Sequence, residues 1–141
     1  MPFKLADWQK MLRRLALAAE QLRQFTEDPT DRNLLDLAVF NVWTAAEYAI
    51  NVLLELERME KETWHRTDER ARELKALGML KQDYSKILQQ LENYRLTAGY
   101  GSYVRNPSVH YSRKNVQDCL DAVVRLCDEV GGALQVAEKI S

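Results

Sequence analysis

Glycine and proline are scarce in this chain, five and three among 141 residues. Leu, Ala, Glu, Lys, Arg and Gln are abundant, which argues for helices throughout. There are only two cysteines, Cys119 and Cys127. At eight residues apart in a helical pattern they lie too far along one axis to be bridged within that helix. They are expected to be buried reduced thiols rather than a redox or metal pair, in keeping with a cytoplasmic protein. The chain shows no uninterrupted apolar run of membrane-spanning length and no signal peptide, so neither a membrane partner nor secretion is expected. No excess of charge of one sign is present either. A net charge of −1 offers no global attraction to nucleic acid, so any such binding must come from a local patch. No repeat, no low-complexity segment and no cluster of carboxylates or of Cys and His at metal-ligand spacing stands out. No metal and no cofactor are therefore expected.

With 46% hydrophobic residues, the chain has enough apolar side chains for one core. The expected fold is all-α, a single domain over residues 1–141 built as an up-and-down bundle of four long helices and one short helix. The first helix runs from about Lys4 to Phe25, with Leu5, Trp8, Leu12, Leu15, Ala19 and Leu22 forming one stripe. Pro29 stops it, and Thr30 or Asp31 is placed to cap the next. The second helix, from about Asp31 to Met59 or beyond, is apolar on more than one side. It is the central helix, with Leu34, Leu37, Phe40, Trp43, Ala46 and Ile50 among its apolar positions and Trp43, Ala46 and Ile50 expected to be buried. Its charged end carries Trp64 and His65, and His65 reads as ordinary surface. A short helix from Asp68 to Leu77 stops at Gly78. Tyr84, Ile87, Leu91, Tyr94 and Ala98 mark the buried stripe of the next. Ser112 caps the last helix, whose Gly131-Gly132 pair costs about 1 kcal/mol per glycine unless close packing compensates.

Between those last two helices lies Tyr103-Val104-Arg105-Asn106-Pro107-Ser108-Val109-His110-Tyr111. No acidic residue intervenes between Glu92 and Asp118, whereas Arg95, Arg105, Arg113 and Lys114 all fall inside that window. Arg supplies a planar fork that matches phosphate oxygens, and His titrates nearest neutral pH. On one uninterrupted helix, residues five apart point about 140° from each other. Pro107 disfavours helical geometry at Asn106, so the pair falls on a loop or loop-to-helix junction where both side chains can converge. Tyr100, Tyr103 and Tyr111 are candidates for stacking on bases of single-stranded RNA, although aromatics flanking an interhelical loop more often serve as core edge and anchors.

Arg105-Asn106-x-x-x-His110 resembles the R-x(4 to 6)-H motif of the HEPN superfamily (higher eukaryotes and prokaryotes nucleotide-binding), in which a polar residue commonly follows the Arg. Chain length, the all-helical pattern, the Ala45-Ala46-Glu47-Tyr48-Ala49-Ile50 run and the motif's place before the last long helix agree with that resemblance. It implies a small helical bundle, often a homodimer, acting as a metal-independent ribonuclease or as the partner of a small nucleotidyltransferase. Arg105 and His110 would be catalytic, with Asn106, Tyr100, Tyr103, Tyr111, Arg95, Arg113 and Lys114 binding RNA. Nucleotidyltransferase-paired relatives tend to carry Tyr two residues after the His. Here Ser112 holds that place, so no modification on tyrosine is read from the resemblance.

Two function classes follow. One is a ribonuclease acting as a toxin or in defence. The other is a non-catalytic module that binds a nucleotide or a nucleotidyltransferase. Internal transesterification of RNA needs a base, an acid and a cation, and one chain offers a single well-placed His. A two-fold dimer with the loops at its axis would supply two of each, so a homodimer is expected.

Overall fold

The computed structural model describes residues 2–57, 67–98 and 110–140, with side chains described for 8–57, 67–98 and 110–135. Among these residues there are five helices: α1 (Pro2–Glu27), α2 (Arg32–Leu56), α3 (Thr67–Ala76), α4 (Ser85–Thr97) and α5 (Arg113–Ile140). No strand occurs among the described residues, and the all-α expectation holds. The course of the chain follows from its long-range contacts. Trp8 of α1 packs on Gly131 near the end of α5, whereas Arg113 at the start of α5 bonds Thr26 near the end of α1. Tyr84 before α4 bonds Glu129, and Tyr94 near its end meets Tyr111. Hence α1 and α4 run one way while α2 and α5 run the other, with α3 in the crossover between α2 and α4. That is the up-and-down bundle, although α4, at 13 residues, is half the length of α1, α2 or α5.

The centre of the bundle is α2, in contact with all four other helices. Leu35, Ile50, Leu53 and Leu54 are fully buried. Each such side chain removed from water is worth roughly 1.5–3 kcal/mol. Trp43, Ala46 and Ile50 are buried as expected, whereas Leu37 is 49% exposed and Leu34 and Phe40 are half-buried. By length and composition α2 is apolar enough to cross a bilayer, but 67% of its most apolar stretch is buried inside the bundle, as a core helix requires. The helix ends at Leu56 with Glu57 as its C-cap, short of the expected Met59, and Met59, Trp64 and His65 lie outside the described residues.

The inward face of α1 matches the expected one at Leu15 and Leu22 and differs at two positions, Met11 and Ala18 taking the places of Leu12 and Ala19. Met11, Leu15, Ala18 and Leu22 are buried, while Leu12 is 44% exposed and Ala19 is exposed. Leu12 is as apolar as Met11, so periodicity cannot choose between the two faces. Docking against α2 and α5 does. Leu5 lies outside the described side chains.

Local signals set the helix ends. After α3, Gly78 takes φ +81°, Met79 donates its N–H to Leu74 O (2.9 Å) and Gly78 to Lys75 O (3.0 Å). This paired closure needs the left-handed conformation that glycine adopts without a Cβ clash. Ser112 and Asn115 cap α5 reciprocally: Asn115 N–H donates to Ser112 Oγ (3.2 Å) and Ser112 N–H to Asn115 Oδ1 (2.9 Å). Asp31 stands at the N-cap of α2 without a side-chain cap bond, and the turn is held instead by Asp28, whose carboxylate accepts from the Thr30 hydroxyl at 2.5 Å. The two α5 glycines differ. A Cβ on Gly131 would lie 2.7 Å from Trp8 Cη2, so this glycine permits a close helix crossing, while Gly132 has nothing within 4 Å.

Candidate functional site

The described part of the candidate site is the corner where His110-Tyr111-Ser112 enters α5. Tyr111 is buried there, and its hydroxyl donates to the Asp36 carboxylate of α2. Arg32, one turn earlier on α2, lies with its guanidinium 4.5 Å from the Tyr111 ring centroid and donates to the Tyr111 carbonyl at 3.1 Å. Arg32 also faces Asp36 across 3.7 Å. The ring of Tyr94 meets that of Tyr111 at 5.1 Å between centroids. Burial, and then the Asp36 carboxylate, hold the Tyr111 phenol well above its usual range, so it stays a neutral donor. Such an arrangement fixes the backbone at 111 from both sides. His110, immediately before it, is exposed.

The sequence-predicted residues divide accordingly. Tyr111 is an anchor rather than a base platform, because Arg32 and Tyr94 already occupy its ring. Arg95 is likewise corrected. It is buried, its guanidinium is paired with Glu92, and it lies 4.4 Å from the Trp43 ring centroid. Lys114 is exposed but reaches Asp118 at 3.1 Å, and Arg113, also exposed, donates to Thr26 Oγ1 at 2.6 Å. The stretch free of acids therefore does not remain free of them in space. Glu92 and Asp118, which bound it in sequence, lie one helical turn from Arg95 and Lys114 and pair with them. Arg105, Asn106, Tyr100, Tyr103 and Pro107 lie outside the described residues.

Arg32 and Asp36 were not singled out from the sequence. Their signal was an i,i+4 charge pair at the start of an otherwise apolar helix, where an acid turned inward needs a partner. The thiols of Cys119 and Cys127 are free and buried, and burial pushes each up to about 12. They are inert at neutral pH. Among the described residues no three His, Cys, Asp or Glu side chains converge as metal ligands.

The family model described as HEPN domain matches residues 12–135 of this chain. No curated protein and no solved structure matches it.

Proposed function

The chain belongs to the HEPN domain family, and on that footing we propose that it is a metal-independent endoribonuclease acting as a two-fold dimer, with Arg105 and His110 of both protomers around one RNA phosphate. The observation that carries this reading is the placement of His110. It is exposed to solvent beside a clamped backbone, three residues before the start of a 28-residue helix whose first turn holds no acid. A histidine retained for structure would be expected inward, as Tyr111 is. The N-terminus of α5 adds positive potential, equivalent to about half an elementary charge, near the position a phosphate would take.

One His removes the 2′-hydroxyl proton, and that oxygen attacks the adjacent phosphorus. The bond to the 5′-oxygen breaks, and the second His returns a proton to the leaving oxygen. The product ends are a 2′,3′-cyclic phosphate and a 5′-hydroxyl. Arg105 stabilises the charge that accumulates on the non-bridging oxygens in passing.

A second reading has its own support. Arg95 and Lys114 spend their charge on carboxylates, which leaves fewer cations for RNA than the sequence suggested. This favours a non-catalytic module docking a nucleotide or a small nucleotidyltransferase, as in a toxin–antitoxin pair. Incubation of the purified protein with a labelled RNA pool separates the two. Cleavage by wild type and none by His110→Ala supports the enzyme. Equal binding of a nucleotidyltransferase by both proteins, with no cleavage by either, supports the module.

A further inference from the structure

On the outer face of α1 and α2, away from the His110 corner, Lys10, Arg13, Arg14, Leu17 and Tyr48 line a groove of about 330 Å³. Lys10 and Arg13 are exposed and form no ion pair with a described residue, and Arg14 is half-buried. Arg14 is held by a neutral partner: its Nη1 donates to Asn41 Oδ1 at 3.0 Å, and the Asn41 amide donates in turn to Gln21 Oε1 at 2.8 Å. The guanidinium is thus oriented without being neutralised. The same helix neutralises a cation elsewhere, since Arg23 is bracketed by Glu20 and Glu27. Leu17 is 43% exposed beside the cations, and Tyr48 gives the groove an aromatic wall.

A ridge joins this groove to the candidate catalytic corner. Asp36, Phe40, Thr44 and Tyr48 follow one another at four-residue steps along α2, a row that winds slowly over the helix surface. It begins at the carboxylate that anchors Tyr111 and ends in the groove. From Asp36 to Tyr48 the axis advances about 18 Å at 1.5 Å per residue. Arg14 lies 5.9 Å from the centroid of the Phe40 ring, the second residue of this row. Cations spaced along a helix beside partly exposed aromatic rings suit a flexible polyanion whose bases can stack.

We propose that the groove of Lys10, Arg13, Arg14, Leu17 and Tyr48 is an exosite for the phosphate backbone of single-stranded RNA, holding the strand a few nucleotides from the bond cut at His110. This rests on the ribonuclease reading. The site raises affinity for long substrates without touching the reacting atoms, so a substrate too short to span the ridge gains nothing from it.

The test uses a fluorescent, fully 2′-O-methylated 12-mer RNA, which lacks the attacking hydroxyl, and measures binding by anisotropy across a salt series. Alongside it, cleavage of a long RNA and of a dinucleotide is followed. Charge reversal in Lys10→Glu/Arg13→Glu is expected to weaken 12-mer binding about tenfold or more and to flatten the salt slope by about one to two, as loss of two phosphate contacts should. The same variant cuts the dinucleotide at the wild-type rate but the long RNA more slowly. Lys10→Arg/Arg13→Lys retains binding, and matching circular dichroism melts confirm the fold. Unchanged 12-mer binding by the charge-reversed protein overturns the exosite while leaving the ribonuclease reading standing. Competition by polyglutamate as effective as by RNA also overturns it, in favour of an acidic peptide. If wild type neither binds the 12-mer nor cuts either substrate, the ribonuclease reading fails and the exosite with it.

Discussion

The His110 corner and the groove on α1 both gather cations, yet they treat them differently. At the corner every described Arg or Lys has a polar partner: Arg32 the Tyr111 carbonyl and Asp36, Arg113 the Thr26 hydroxyl, Lys114 the Asp118 carboxylate. In the groove Lys10 and Arg13 face solvent, and Arg14 is steered by an amide. Ion pairs exposed to water add little stability, so the value of the corner's contacts lies in position. The Arg32 contact holds the backbone next to His110. A cluster whose charges are already satisfied can orient a reacting group. One whose charges meet no carboxylate among the described residues can attract a distant polyanion.

The sharpest way to break this contrast is at the corner. His110→Ala should reduce RNA cleavage by about 10² to 10⁴, the usual worth of one acid-base group, with an unchanged thermal melt. Arg105→Ala should act likewise, and Arg105→Lys should rescue poorly, because an ammonium lacks the bidentate fork. Both are read by initial rates on a labelled RNA. If the corner works by position, Tyr111→Ala should lower stability by about 3 kcal/mol or more in urea titration, as aromatic truncation in a core does, and should lower cleavage as well. Tyr111→Phe keeps the ring but removes the hydroxyl that donates to the Asp36 carboxylate, at about 1–3 kcal/mol. A Tyr111→Phe protein as stable as wild type would reduce the anchor to simple packing.

Away from both regions, the α5 glycines give a smaller and two-signed effect. Gly131→Ala should destabilise by about 1–3 kcal/mol, since a Cβ would meet the Trp8 ring at 2.7 Å. Gly132→Ala should stabilise by up to about 1 kcal/mol, because it gains helix propensity in open space. Chemical denaturation of the two variants decides both signs.

The smallest effect at neutral pH belongs to the thiols. Cys119 and Cys127 ionise near 9.0 when unfolded and at about 12 when folded. Between those values the unfolded chain holds fewer protons than the folded one, so stability is fully present below pH 9 and falls as pH rises toward 12. The slope approaches about 1.4 kcal/mol per pH unit for each thiol. Urea midpoints at pH 8 and pH 10.5 should show this fall, and Cys119→Ala should shrink it. At pH 7 a thiol reagent should modify neither cysteine until the protein unfolds.

How much of this was legible beforehand varied with the physics involved. The middle of α2 was, because a helix apolar on several sides has nowhere to go but the centre. Gly78 and Ser112 were, because a left-handed stop and an N-cap depend on local chemistry. The face of α1 was legible only in part: Leu15 and Leu22 are inward, but Met11 and Leu12 are equivalent until a neighbour docks. The electropositive window was misread for a related reason. Counting acids along the chain ignores that a helix returns Glu92 to Arg95 and Asp118 to Lys114 within one turn. In sequence Tyr111 suits both a platform and an anchor, and only the distant Arg32 and Asp36 make it an anchor. The family was legible in the Arg105-to-His110 spacing together with chain length, the all-helical pattern and the Ala45-to-Ile50 run, and most of the motif lies outside the described residues.

One measurement bears most directly on the proposed activity: end-group analysis of the products formed from a labelled RNA by the wild-type protein in EDTA. The expected result is cleavage that persists without metal, leaving 2′,3′-cyclic phosphate and 5′-hydroxyl ends, with a 2′-deoxy substitution at the cut position conferring resistance. Intact RNA, cleavage abolished by EDTA, or 5′-phosphate ends with the deoxy-substituted strand cut equally well would contradict it.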